Sequence, residues 1–129
     1  MYKGEIGDKT YYGALTFDDN GTPYICYNED GVFHRERVNH AAKYLGFADK
    51  NGKDVFNCDK VELIYSTSYD EERIKLVGFA RCDYLGTYVF VPVEEGSDMG
   101  HAYYLCKVYG LGVKYVNGVP WVGAVTLLQ

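Results

Sequence analysis

Bends that accept a positive φ punctuate this chain: Asp18-Asp19-Asn20-Gly21, Asn28-Glu29-Asp30-Gly31, Asp49-Lys50-Asn51-Gly52 and Asn117-Gly118. Asn-Gly and Asp-Gly suit hairpin turns, because these residues tolerate the left-handed backbone that right-twisted flanking strands demand. Between the bends the sequence is strand-length and alternating. In 10–17, Tyr11, Gly13, Leu15 and Phe17 share one side and Tyr12, Ala14 and Thr16 the other, with 22–27 returning as the hairpin partner. Stretch 32–38 sets Val32, His34, Glu36 and Val38 against Phe33, Arg35 and Arg37, a polar strand suited to a sheet edge.

Asn39 is placed to cap one helical turn over His40, Ala41, Ala42 and Lys43, the only piece with helix character. Within 46–63, Val55 and Phe56 are apolar, 57–60 make a second polar bend, and Val61 and Leu63 alternate with Glu62 and Ile64. Further strands are expected over 61–67, 74–82, 87–93, 102–109, 113–116 and 119–127. Pro92 belongs at an edge or strand end, where no ladder donor is needed. The longest polar break, 94–101 (EEGSDMGH), is the candidate mobile loop. Many short strands at regular spacing predict an all-β, mainly antiparallel fold, a small barrel or sandwich with at most one short helix.

A chain of 129 residues predicts a single compact domain, 1–129, within which a hairpin subdomain (1–42) and a barrel-like portion (43–129) are distinguishable. Hydrophobic residues at 47% and aromatics at 16%, including 14 tyrosines, exclude a disordered chain and favour strands. The formal net charge of −5 argues against a general duplex-DNA binder that relies on phosphate contacts, while leaving room for a local basic patch. No apolar run reaches the roughly 20 residues that cross a bilayer, and MYKGEIGDKT lacks a secretory apolar core, so a cytoplasmic location without a membrane partner is expected. Cys26, Cys58, Cys82 and Cys106 form no C-x-x-C pair and read as free thiols in a reducing compartment.

Frames for catalysis are missing. Ser66, Ser68 and Ser97 stand outside any G-x-S-x-G, and His34, His40 and His101 have neither metal-ligand spacing nor an assignable cysteine. Gly110-Leu111-Gly112 is a strand-to-strand bend without a dinucleotide frame. The expectation is therefore no enzyme, no cofactor, no metal and no small-molecule substrate, with homo-oligomerisation left open. Two surfaces stand out. Asp70, Glu71, Glu72, Glu94, Glu95 and Asp98 fall in turns that could together present negative charge to a basic partner, with Tyr103 and Tyr104 as interface anchors. Phe33, His34, Arg35 and Arg37 make a short basic and aromatic cluster suited to RNA or single strands.

The order Tyr12-Gly13-Ala14-Leu15, Asp18-Asp19-Asn20-Gly21, Tyr24-Ile25 and then Tyr44-Leu45-Gly46-Phe47-Ala48-Asp49-Lys50-Asn51-Gly52-Lys53-Asp54-Val55-Phe56-Asn57-Cys58-Asp59-Lys60-Val61 resembles the YopX family of small phage and prophage proteins. The second segment is similar to that family's Y-T-G-L-x-D-K-N-G-K-x-I-Y/F-E-G-D-I-V signature. It departs at Asn57-Cys58, where the family has Glu-Gly, and at Lys60, where the family is apolar; the resemblance ends near Leu63. It implies an all-β fold with a small SH3-like barrel plus additional hairpins, and it brings no catalytic residue. The function it implies is that of a non-enzymatic phage or prophage accessory protein. Such a protein would bind a bacterial host or defence component, such as a CRISPR nuclease or another nucleoprotein complex. A small nucleic-acid-binding regulator is the alternative. A cysteine in place of the family's glycine further predicts a negative φ at Cys58.

Overall fold

Turn chemistry sets the strand boundaries in the computed structural model, which describes residues 1–66, 73–105, 113–116, 119–122 and 124–128. In order, the strands are β1 (Tyr2–Ile6), β2 (Lys9–Phe17), β3 (Pro23–Glu29), β4 (Val32–Arg37), β5 (His40–Ala48), β6 (Asp54–Phe56) and β7 (Lys60–Ser66). There follow β8 (Arg73–Asp83), β9 (Gly86–Pro92), β10 (Gly100–Tyr104), β11 (Val113–Val116), β12 (Val119–Val122) and β13 (Val125–Leu127). The fold is all-β and almost wholly antiparallel; the contact of β5 with β12, Ala48 opposite Trp121, is parallel. No helix among the described residues is long and apolar enough to cross a membrane. The chain divides into two compact units, Met1–Tyr44 and Leu45–Gln129.

Unit 1 is a meander in which β4, β3, β2, β1 and the first half of β5 pair in that order. Its β3–β4 turn is the Asp30-Gly31 pair, with φ of 52° and 78°, the two positive values of a type I′ hairpin loop. Strand β1 precedes the first strand expected from the sequence, and it changes the conformation of the residues after Asn39. Instead of a capped helical turn, His40, Ala41, Ala42 and Lys43 lie opposite Glu5, Gly4, Lys3 and Tyr2. The Asn39 N–H is given to the Glu5 carbonyl at 2.8 Å. Two alanines add little helix preference and one turn cannot offset the cost of nucleation, whereas β1 offers a ready ladder. Gly4 also lets the meander close on itself: a Cβ there would sit 2.4 Å from Ile25 Cγ1 and 2.7 Å from Val38 Cγ1. Ile25 and Val38 are the buried apolar side chains of this unit.

Unit 2 contains the five-stranded sheet β10-β9-β8-β7-β13, with β6, β11, β12 and the second half of β5 beside one another in the other sheet. Among the described residues the expected SH3-like barrel is not formed. Strands β10 and β13 are the two edges of an open sheet, and closure would need them to pair in a staggered register. The core is nonetheless substantial. Leu63 faces Val125 and Ala80 faces Val89 across the ladder, all four fully buried, with Val61, Val55, Phe47 and Ala124 completing the cluster.

One buried carboxylate ties this core to its turn. Asp49 Oδ1 accepts the N–H groups of Asn51 (2.9 Å) and Lys53 (3.0 Å), and Oδ2 accepts that of Leu127 in β13 (3.0 Å). Asp49 is fully buried, and Lys50 N–H completes the clamp on the Val125 carbonyl at 2.8 Å. The second bend, at 57–58, overturns the expectation for Cys58, whose φ is +70°. Asp59 N–H bonds the Phe56 carbonyl (3.1 Å) while the Phe56 N–H bonds Asp59 Oδ2 (2.8 Å). With a positive φ at the third residue alone, this is a type II turn. Cys58 N–H to Ala80 O (2.7 Å) and Ala80 N–H to Asp59 O (2.9 Å) anchor the bend on β8, so the ladder fixes the backbone and cysteine adopts the glycine conformation.

Candidate functional site

Period-two alternation sorts the side chains of unit 1 onto two faces, and the register decides which belong together. Opposite pairs are Thr16 with Tyr24, Ala14 with Cys26, Cys26 with Arg35, Tyr24 with Arg37 and Asn28 with Phe33. On β1 the pair Lys3 with Tyr12 continues the same face. This is the outer face: Tyr12 is 51% exposed, Phe33 is 65% exposed, and Arg35 and Arg37 are exposed beside them. The Arg35 guanidinium lies 3.9 Å from the centre of the Tyr24 ring. Thr16 Oγ1 and Cys26 Sγ are 3.4 Å apart in the floor.

The inner face carries Glu29 and Glu36 beside a stack of rings. Tyr27 stacks on His34 (centroids 5.0 Å apart, planes at 15°) and on Tyr11 (6.0 Å, 19°). Burial pushes the Tyr27 hydroxyl above its ordinary value, and the negative charges of Glu36 and Glu29 add to the rise. Glu36, which in the sequence interrupts the basic run, thus belongs to the other side of the sheet.

Of the cluster read from the sequence, Phe33, Arg35 and Arg37 come together, while His34 points to the opposite face. Lys3, Tyr12 and Tyr24 join them and were missed, although the alternation of 10–17 already set Tyr12 apart from Tyr11. Cys26 cannot work with His34 as a base, since the two side chains occupy opposite faces. Cys58 and Cys82 are exposed thiols, and among the described residues no three His, Cys, Asp or Glu side chains gather as a metal site. Cys106 lies outside the described residues.

The acidic surface is only partly described: Asp70, Glu71 and Glu72 lie outside the described residues. Glu94, Glu95 and Asp98 are exposed on the β9–β10 connection. That connection is a hydrogen-bonded turn, with Val93 N–H on Met99 O (2.9 Å), Ser97 N–H on Glu94 O (3.0 Å) and Met99 N–H on Ser97 Oγ (3.1 Å). Tyr103 packs against the core of unit 2. Tyr104 gives its hydroxyl proton to Asp83 Oδ2 at 2.5 Å, and that bond, with burial, pushes its ionisation up to about 12. Both tyrosines are therefore engaged within the fold.

No protein-family model, curated protein or solved structure matches the chain.

Proposed function

We propose that the chain is a non-enzymatic binding protein, an accessory factor of a phage or prophage that engages a bacterial macromolecule, with a host defence assembly such as a CRISPR nuclease as the kind of target. The observation that carries this reading is the outer face of unit 1, where exposed rings and guanidinium groups share a surface from which Glu29 and Glu36 are excluded. Arginine and aromatic residues are the side chains that most often dominate macromolecular interfaces. The phage setting draws its support from the resemblance of 44–61 to the YopX signature.

Tagged protein drawn through a bacterial lysate tests the reading. Wild type and the inner-face variant Glu36→Gln should recover the same partner, and Phe33→Ala/Arg35→Glu should lose it. Equal recovery by all three proteins, or a partner recovered by none, overturns the proposal. A second reading, a basic partner held by Glu94, Glu95 and Asp98, is supported by their joint exposure on one ordered turn. It predicts capture that weakens with salt and with Glu94→Lys while ignoring Arg35→Glu.

A further inference from the structure

We infer that the outer face of β2, β3 and β4 binds a single-stranded nucleic acid, an inference that rests on the binding role proposed for that face and names its ligand. Along β4, Phe33, Arg35 and Arg37 project to the same side at intervals of about 7 Å, two residues of extended strand apiece. The row thus offers a ring followed by two cations. Tyr24 and Tyr12 lie on the neighbouring strands, and Lys3 adds a third cation from β1. The Arg35 guanidinium carbon, 3.9 Å from the centre of the Tyr24 ring, is held against that ring as a cation on its face.

Charge decides between occupants. The chain is acidic overall, at −5, yet alternation sends Glu29 and Glu36 of β3 and β4 to the other face, where they act on Tyr27. Carboxylates on the outer side stand at its margins. Glu5 is paired with His40 at 3.1 Å, and Asp18 is occupied by the N–H groups of Asn20 and Thr22 and by the Tyr24 hydroxyl at 3.2 Å. The result is a short positive track with exposed rings, bounded by negative charge at the Asp18 end.

A single strand matches this track in both respects, since its phosphates pair with the cations and its unpaired bases stack on rings regardless of sequence. A duplex hides its base faces and leaves Phe33 nothing to stack on. The hydroxyls that could read a ribose are mixed: Thr16 is engaged with Cys26 and Tyr24 with Asp18, while the exposed Thr10 and Tyr12 stand on the same side. Phosphate and unpaired base are therefore the chemistry this face fits, and experiment separates the two sugars.

Fluorescence anisotropy with labelled oligo(dT), oligo(rU) and a duplex of equal length tests the inference on the full chain. Both single strands should bind more tightly than the duplex, with log K falling against log salt at a slope of about −1.4, as Arg35 and Arg37 at about −0.7 each require, and the ratio of oligo(dT) to oligo(rU) identifies the sugar. Phe33→Ala should weaken binding about tenfold without changing that slope, since one base loses its stacking platform while no charge is removed. Arg35→Glu should weaken it more and flatten the slope, and Glu36→Gln should leave it unchanged; circular dichroism checks that each variant is folded. Absence of binding to both single strands at low salt, a preference for duplex, or indifference to Phe33→Ala overturns the inference. The two proposals fail separately. A partner captured from nuclease-treated lysate and lost with Phe33→Ala/Arg35→Glu, with neither single strand bound by the pure protein, preserves the binding role of the face while removing nucleic acid as its ligand.

Discussion

Asp18 in unit 1 and Asp49 in unit 2 head the same five-residue turn, Asp-x-Asn-Gly-x. In each, Oδ1 accepts the N–H groups two and four residues on, and the aspartate's own N–H bonds the carbonyl of the fifth residue. The glycine N–H returns to the aspartate carbonyl at 3.0 Å, and Gly21 and Gly52 have φ of 79° and 81°. The second carboxylate oxygen separates them. Asp18 Oδ2 takes a hydroxyl six residues away, from Tyr24, whereas Asp49 Oδ2 takes the Leu127 N–H across 78 residues of sequence. Local chemistry therefore fixes the turn, and the reach of one oxygen decides whether the turn closes a hairpin or holds a core together.

Removing the two carboxylates is the sharpest way to break that comparison. Asp49→Ala leaves three N–H groups without their acceptor, at about 1–3 kcal/mol for each one that stays buried, so a loss of about 4 kcal/mol in urea unfolding is expected. Asp18→Ala, at a solvated turn, should cost only a small fraction of that, and equal losses would show that the long-range bond contributes nothing. Next in size, Leu63→Ala should cost about 3 kcal/mol, because a fully buried side chain is deleted opposite Val125. In amide exchange that variant should speed β7, β8 and β13 and leave β3 and β4 unchanged; uniform acceleration would mean that the units open together.

Smaller still, Cys58→Gly should raise stability by about 1 kcal/mol, the cost of holding an L-residue at φ +70°. No gain in the unfolding midpoint would place the strain elsewhere. The smallest effect is on acid titration. The Thr22 N–H, with further help from Asn20 and Tyr24, holds Asp18 below its ordinary 3.8 against the opposing effect of burial. A lowered folded value means that its contribution is complete above the ordinary carboxylate range and is lost as pH falls through the lowered value. Asp18→Asn should remove that acid-side step, read at the Gly21 amide by NMR, and an unaltered step would assign it to another carboxylate.

Much of the fold was legible because each turn carries its own instruction. Asp30-Gly31 and Asp49 to Gly52 bend where their side chains and φ preferences require, and Val61 and Leu63 lie buried as their alternation predicts. The features that escaped depend on partners distant in sequence. His40 to Lys43 is a strand because β1 lies beside it, and Cys58 is left-handed because Ala80 receives its N–H. The candidate face was half legible for the same reason. Phe33, Arg35 and Arg37 share a side by period alone, but Lys3, Tyr12 and Tyr24 join them only once the register of three strands is known. His34 was misplaced by reading the cluster as a run of neighbours instead of every second residue.

The Asp49 clamp also imposes an order on synthesis. A ribosome releases Asp49 78 residues before the Leu127 N–H that its second oxygen needs, and β7 must likewise wait for its edge partner β13, across the 62 residues that separate Leu63 from Val125. The ladders of unit 1, by contrast, are complete once Tyr44 has emerged. The nascent chain therefore passes through a stage in which the outer face of unit 1 is assembled while β7 still offers an unpaired edge. Contacts so far apart in sequence form late and leave such an edge open to other chains in the meantime. A stall or premature stop ahead of Val125 would freeze that stage, yielding a protein that displays the outer face of unit 1 and aggregates through β7.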